Sequence, residues 1–246
     1  MSDDATEESS TVRVVYTGTR SPDAELDGLE LLHLPMLASE PVEFNPNIIA
    51  ELLKEDVQVV FFSAKAVAAV ADSELRAHFG SDRLETWAVG AKTAESIAET
   101  LGCEARVPDR QDFVGICDAL EGVDSRKVVV FGLEDAPRDL ESFLDERVVH
   151  EFPVYRTFPR LHPKLGEKLG EFAPDWIAFT SPRGLEAFAS QADQFEFPWR
   201  HCQMAAIGPT TGDALRTLDI EPEVQLDDPG RNRLVEAIME RHPVDT

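Results

Sequence analysis

Lysine, cysteine and tyrosine are all scarce in this 246-residue chain: six lysines, three cysteines and two tyrosines. The 23 basic residues face 47 acidic ones, which leaves a formal net charge of −24. Such a surface repels nucleic acid and anionic membranes, so neither is expected as a partner. Cys103, Cys117 and Cys202 are odd in number and have no CxxC spacing, which argues against a disulfide framework and suits a reducing cytoplasm. Apolar runs such as "VQVVFF" and "AVAAVA" fall far short of the roughly 18–20 residues of a membrane span. The opening "MSDDATEESS" is acidic and without an apolar core; it is neither a secretory signal nor a transit peptide, and residues 1–11 are expected to be a disordered leader.

Several chemistries are missing as well. The sequence contains no GxxxxGK[ST] phosphate loop, no GxGxxG after a strand, no HExxH and no GxSxG. The six histidines fall at no metal-ligand spacing, and "EVQLDD" lacks the pattern of a calcium loop. No metal site is expected.

What the chain does have is a core and a repeat. Hydrophobic residues make up 43% of it, enough for a folded protein of one large or two small domains. Short β-branched runs at 12–17, 57–62, 85–89, 126–131, 148–152, 175–180 and 204–207 read as strands. Amphipathic stretches at 47–55, 64–71, 91–101, 112–121, 137–146, 183–190, 209–218 and 231–241 read as helices. That alternation predicts α/β domains with parallel sheets covered on both faces.

An offset of 118 residues aligns three separate stretches. "WAVGAKTAESI" (87–97) matches "AAIGPTTGDAL" (205–215), "VVFFSAKAVAAV" (59–70) matches "IAFTSPRGLEAF" (177–188), and "ICDAL" (116–120) matches "LVEAI" (234–238). One offset shared by three matches indicates a duplicated domain. The pieces "VRVVYTG…LLHLPML" (12–37) and "KVVVFG…VVHEFPVY" (127–155) also pair, each reading as strand, loop, short helix, strand and proline. The first precedes its repeat unit and the second follows its own, so the chain crosses out of one lobe, builds another and returns. Lobe A is expected at 1–35 and 159–246, lobe B at 43–152, with proline-stiffened linkers at 36–42 and 153–158.

Ligands of open α/β sheets sit beyond the carboxyl ends of the strands. Those ends read "YTGTR", "FSAK", "VGAKT", "FGLED", "FTSPR" and "IGPTT", rich in small residues, hydroxyls and helix starts. Free N–H groups and the positive end of a helix dipole favour anions there, and Ser63, Thr93, Ser181, Thr210 and Thr211 could add hydroxyl donors. Each such residue also has a plain reading as a helix cap or turn. Tyr155, in the second linker, could hand over a proton or simply pack its ring.

Together, "FFSAKAV" and "FTSPRGL", "VGAKT" and "AIGPTT", and the linker "PVYRT" resemble the uroporphyrinogen-III synthase family, from about Val12 to Ile238. The resemblance implies two flavodoxin-like open parallel-sheet domains, the second inserted into the first and joined by a two-stranded linker. It implies a hydro-lyase of tetrapyrrole biosynthesis that needs no metal or organic cofactor, and nothing in the sequence argues against a cytoplasmic monomer. Its substrate would be hydroxymethylbilane, a linear tetrapyrrole with eight carboxylates, closed to uroporphyrinogen III with loss of water and inversion of ring D. Tyr155 matches the family's linker tyrosine, a proposed general acid. Ser63, Ser181, Gly90, Thr93, Gly208, Thr210 and Thr211 match its cleft loops, and Arg20, Lys65, Lys92, Arg138 and Arg183 would give a positive lining. Lys65 replaces a frequent arginine and loses bidentate geometry, while Gln203 stands where some relatives carry lysine. A non-catalytic two-lobe module closing on an anionic ligand is the alternative; it would be expected to have lost Tyr155 or the hydroxyl loops, and neither is lost.

The acidic, lysine-poor balance fits a high-salt milieu, although ordinary acidic cytosolic proteins also reach such charge. If self-repulsion limits stability, molar KCl raises the thermal midpoint by screening. A scanning-calorimetry series over KCl concentration checks this, and a flat response would show the charge to be well distributed.

Overall fold

The computed structural model describes residues 11–121, 126–136, 140–144 and 147–241. In chain order these form β1 (Val12–Tyr16), β2 (Leu29–His33), β3 (Leu37–Pro41), α1 (Pro46–Leu52), β4 (Val57–Phe61) and α2 (Ala64–Ala71). There follow β5 (Leu84–Ala88), α3 (Ala91–Leu101), α4 (Phe113–Glu121), β6 (Lys127–Leu133), β7 (Val149–Pro159) and α5 (Leu165–Phe172). The chain continues through β8 (Trp176–Phe179), α6 (Pro182–Gln194), β9 (Gln203–Ala206), α7 (Pro209–Arg216), β10 (Val224–Gln225) and α8 (Arg231–Glu240). Two compact units result: unit 1 is Met1–Ala38 with Phe158–Thr246, and unit 2 is Ser39–Thr157.

Unit 1 holds a sheet in the order β2-β1-β8-β9-β10, every neighbour parallel. Counted within the unit this is 2-1-3-4-5, the flavodoxin order. Unit 2 orders its strands β5-β4-β6-β7-β3, with β4, β5, β6 and β7 paired in parallel. Central strands such as β4 (VQVVF) and β8 (WIAF) are buried along their whole length. That is the burial demanded of a parallel strand covered by helices on both faces, and it explains their near-continuous apolar sequence. Each fully buried Val, Ile or Phe there contributes about 1.5–3 kcal/mol relative to exposure. Each unit has two apolar layers: in unit 2 one contains Val59, Phe61 and Phe131, and the other contains Val60, Val128 and Val130.

The offset of 118 is carried by the elements themselves. Starts of α2, α3 and α4 (Ala64, Ala91, Phe113) recur at α6, α7 and α8 (Pro182, Pro209, Arg231). Even the lone parallel bridge Trp87↔Arg106 recurs as the pair Ala205↔Val224 between β9 and β10. β6 and β7 take in unit 2 the places that β1 and β2 take in unit 1. The same sheet is thus built from a strand pair that follows its repeat in one unit and precedes it in the other.

The structure differs from the sequence reading in several places. No helix follows β1: residues 17–28 are irregular. Ser21-Pro22 disfavours helix, and the loop is instead tied to α8, where the Asp23 N–H donates to Asn232 at 3.0 Å and Arg231 pairs with Asp23. Helix α5 was not expected, because Gly166 and Gly170 weaken its signal. Of the helix expected over 137–146, residues 137–139 and 145–146 lie outside the described ones, and Leu140–Leu144 form turns. In keeping with the two-stranded linker expected, 37–41 is β3 and β7 runs on to Pro159, with the Val42 N–H donating to the Val154 carbonyl at 3.1 Å.

In unit 1 the returning chain is tied down by Gln191, which is 7% exposed. Its amide nitrogen donates to the carbonyls of Arg160 (3.1 Å) and Ala187 (3.0 Å), and its oxygen accepts the His162 N–H at 2.8 Å. The His162 ring Nε2 lies 3.0 Å from the Pro35 carbonyl, and burial holds its pKa below the ordinary histidine value. The unfolded chain therefore takes up the proton first. The contribution of neutral His162 is present above about pH 6.5, the unperturbed value, and is lost as pH falls through the folded one. The urea midpoint is expected to fall from pH 7 to pH 5 more steeply in the wild type than in His162→Gln, whose amide can still donate to Pro35. Parallel curves would refute the coupling.

Candidate functional site

In a 2-1-3 sheet the order of connection reverses beside the first strand, and the loops there diverge to leave a crevice at the carboxyl ends. Unit 1 reverses between β1 and β8, unit 2 between β6 and β4, which the repeat makes equivalent. Every site residue expected from the sequence and lying among the described residues belongs to the carboxyl-end loops, the first helical turns or β7. Arg20, Ser181, Arg183, Gly208, Thr210 and Thr211 fall in unit 1; Ser63, Lys65, Gly90, Lys92, Thr93 and Tyr155 fall in unit 2. Arg138 lies outside the described residues.

The helix starts come in two kinds. Ser63 and Ser181 are N-caps of α2 and α6 in extended conformation, and each hydroxyl turns inward: Ser63 Oγ accepts the Lys65 N–H and Ser181 Oγ the Gly184 N–H, both at 3.1 Å. Those hydroxyls complete their own helices. Gly90 and Gly208 cap α3 and α7 without a side-chain hydrogen bond. At α3 the Ala91 N–H is met from elsewhere, by Gln111 Oε1 at 3.0 Å, and a Cβ on Gly90 would lie 2.7 Å from that oxygen. Thr93 and Thr211 are buried, 7% and 3% exposed, and pack inward, while the preceding Lys92 and Thr210 are exposed. Arg20 and Arg183 are exposed as well.

Tyr155 owes its position to a bulge. Gly132 pairs with Pro153 but Leu133 pairs with Tyr155, so Val154 is an extra residue on β7. A bulge re-aims the side chains that follow it and accommodates a proline that cannot donate to the ladder. The Tyr155 carbonyl accepts the Glu134 N–H at 2.8 Å. Its half-buried ring packs on the unit 2 core, with the Lys65 ammonium 6.0 Å from the ring centroid, within cation–π range.

Beside Tyr155, at the reversal point of unit 2, lies a cavity of 560 Å³ lined by Phe62, Phe113, Leu133, Phe152 and their neighbours. Sequence reasoning missed it, and also missed Gln111: the first is shaped by residues from five segments, and the second caps a helix that starts 20 positions before it. The charged cluster of Gln58, Glu85, Arg126 and Arg147 sits at the opposite, amino-terminal end of the strands. Among the described residues no group of three or more His, Cys, Asp or Glu is arranged to hold a metal ion. No described helix is long and apolar enough to cross a membrane.

Comparison with known proteins agrees with this fold. The family model of uroporphyrinogen-III synthase HemD matches residues 21–236. No curated protein matches the sequence significantly. A crystal structure of a mutant uroporphyrinogen III synthase from the extreme thermophile Thermus thermophilus superposes with a TM-score of 0.62 at 20% identity, covering 96% of this chain and 100% of that one. Uroporphyrinogen-III synthetase from Helicobacter pylori 26695 gives 0.63 at 17% identity, covering 94% and 100%. At these identities the two structures show a common fold.

The inward bonds of Ser63 and Ser181 give a direct expectation. Ser63→Ala and Ser181→Ala each lower stability by about 1 kcal/mol, read from denaturant midpoints. A loss of substrate affinity at unchanged stability would instead assign those hydroxyls to the ligand.

Proposed function

The chain belongs to the uroporphyrinogen-III synthase family, whose members close hydroxymethylbilane to uroporphyrinogen III, and from that premise we propose how its residues handle the substrate. The supporting observation is the equivalence of helix starts at the carboxyl ends of both sheets. Gly90 and Gly208 open α3 and α7 without a capping side chain, and exposed Lys92 and Thr210 stand in the first turns. Eight carboxylates need many donors, and helix starts supply N–H groups already fixed in direction. Arg20, Lys65, Lys92 and Arg183 raise the local potential against a net charge of −24, so the polyanion is attracted where it binds and repelled elsewhere.

Tyr155 acts as the general acid. Its phenol gives a proton to the hydroxyl leaving ring A, water departs, and the azafulvene formed is attacked by ring D through a spiro intermediate that inverts that ring. Lys65 lies beside Tyr155, its ammonium 6.0 Å from the tyrosine ring centroid. The remaining acceleration comes from holding a flexible bilane in its reactive shape. The enzyme works as a cytoplasmic monomer, with neither nucleic acid nor membrane as partner.

Purified protein is given freshly made hydroxymethylbilane in low and high salt, and the oxidised uroporphyrin isomers are separated. Type III is expected to predominate, because unassisted closure gives type I; type I alone from folded protein would sink the reading. Tyr155→Phe is expected to lower kcat about 10²-fold with KM little changed. Thr210→Ala is expected to raise KM several-fold with kcat kept.

A further inference from the structure

The repeat makes a comparison within the molecule possible. β1 pairs β8 at Tyr16↔Ala178, which brings the next residue, Thr17, beside Phe179. The offset makes Phe179 equivalent to Phe61, and Phe61 pairs with Phe131 of β6. Thr17 therefore corresponds to Phe131, and Gly18 to Gly132. At Gly18 the space beside the backbone is taken, since a Cβ would lie 2.5 Å from the Tyr16 ring and 3.0 Å from Thr180. Tyr16 is itself 2% exposed, and burial pushes its phenol up to about 12. At Gly132 a Cβ would meet nothing within 4 Å. One copy has plugged its reversal-point crevice with a tyrosine; the other has left a cavity of 560 Å³, within the size range of small-molecule sites, about 300–1,000 Å³.

The lining says what such a cavity takes. Its faces are aromatic and aliphatic, from Phe62, Phe113, Leu133 and Phe152, and Tyr155 stands on its wall. Among the described residues that line it, the charged ones are Asp135 and Glu151, both acids, with no Lys, Arg or His. Glu151 is held by the Leu140 N–H at 3.1 Å, and Asp135 sits in left-handed backbone (φ 57°) just after the bulge. Acidic walls turn a carboxylate away. They accept the N–H of a neutral heteroaromatic ring whose flat faces pack on Phe and Leu.

Resting on the synthase reading above, we infer that this cavity seats one pyrrole ring of the linear tetrapyrrole, gripped by its hydrocarbon faces. Asp135 and Glu151 accept its N–H, and the ring's own carboxylates are directed outward to the helix starts. The ring so held lies next to Tyr155. Division of labour follows: helix starts read the substrate's charge, and the cavity reads its ring and fixes which part of the chain meets the acid.

The test titrates the isotopically labelled intact protein with 2,5-dimethylpyrrole and, separately, with 2,5-dimethylfuran, which has the same shape but no N–H, following backbone amide shifts by NMR. Shifts at Gly132, Leu133, Asp135 and Glu151, with the pyrrole binding several-fold tighter than the furan, are expected. Gly132→Val, a β-branched residue placed where a Cβ meets nothing, is expected to weaken pyrrole binding about tenfold and to raise KM for hydroxymethylbilane. Asp135→Asn, which tolerates the same left-handed backbone but replaces a charged acceptor with a weaker amide one, is expected to reduce the preference for pyrrole over furan while leaving furan binding unchanged. Shifts that map elsewhere, equal affinity for both probes, or an unaltered KM in folded Gly132→Val would overturn the assignment. Type III product from the wild type together with any of these results would leave the synthase reading standing and remove the subsite alone; type I product alone would remove the synthase reading, while the probe titration still reports on the cavity.

Discussion

A parallel sheet covered on both faces has nowhere to do polar chemistry except at its strand ends. Both units obey that constraint. Their central strands are fully buried, so each helix must begin at the carboxyl edge, where four backbone N–H groups lack intrahelical partners. How those groups are satisfied decides what the edge can do. Ser63 and Ser181 each satisfy one with their own hydroxyl, whereas Gly90 and Gly208 offer no side chain and at α3 the Ala91 N–H is met by Gln111.

Duplication did not keep the copies equal. In unit 1 the crevice at the reversal of strand order is occupied by the Tyr16 ring, and Thr17 spans to the Ala178 carbonyl through its hydroxyl at 2.9 Å and its N–H at 3.0 Å. In unit 2 the corresponding glycine faces open space, and the bulge at Val154 places Tyr155 alongside. In unit 2 Tyr155, the nearby ammonium of Lys65 and an apolar cavity lie together.

Much of this was legible in the sequence. The 118-residue offset, the parallel-strand signature of runs such as "VQVVFF", and the Ser and Gly helix starts all follow from local rules: hydrophobic period, capping and turn chemistry. So did the family, because motif order and spacing survive where identity does not. Less legible was the helix α5, obscured by two glycines, and the irregular loop after β1, whose Asp23 backbone is satisfied by α8 from 209 residues away.

The sequence by itself determined most of the element types and the duplication, because each depends on local patterns of residues along the chain. Only the tertiary structure decided that Thr93 and Thr211 face inward, that Gln111 caps α3, and that Gly132 borders a cavity while Gly18 does not. These depend on which side chains arrive from distant segments to fill or leave the same space, and no local pattern of residues encodes that.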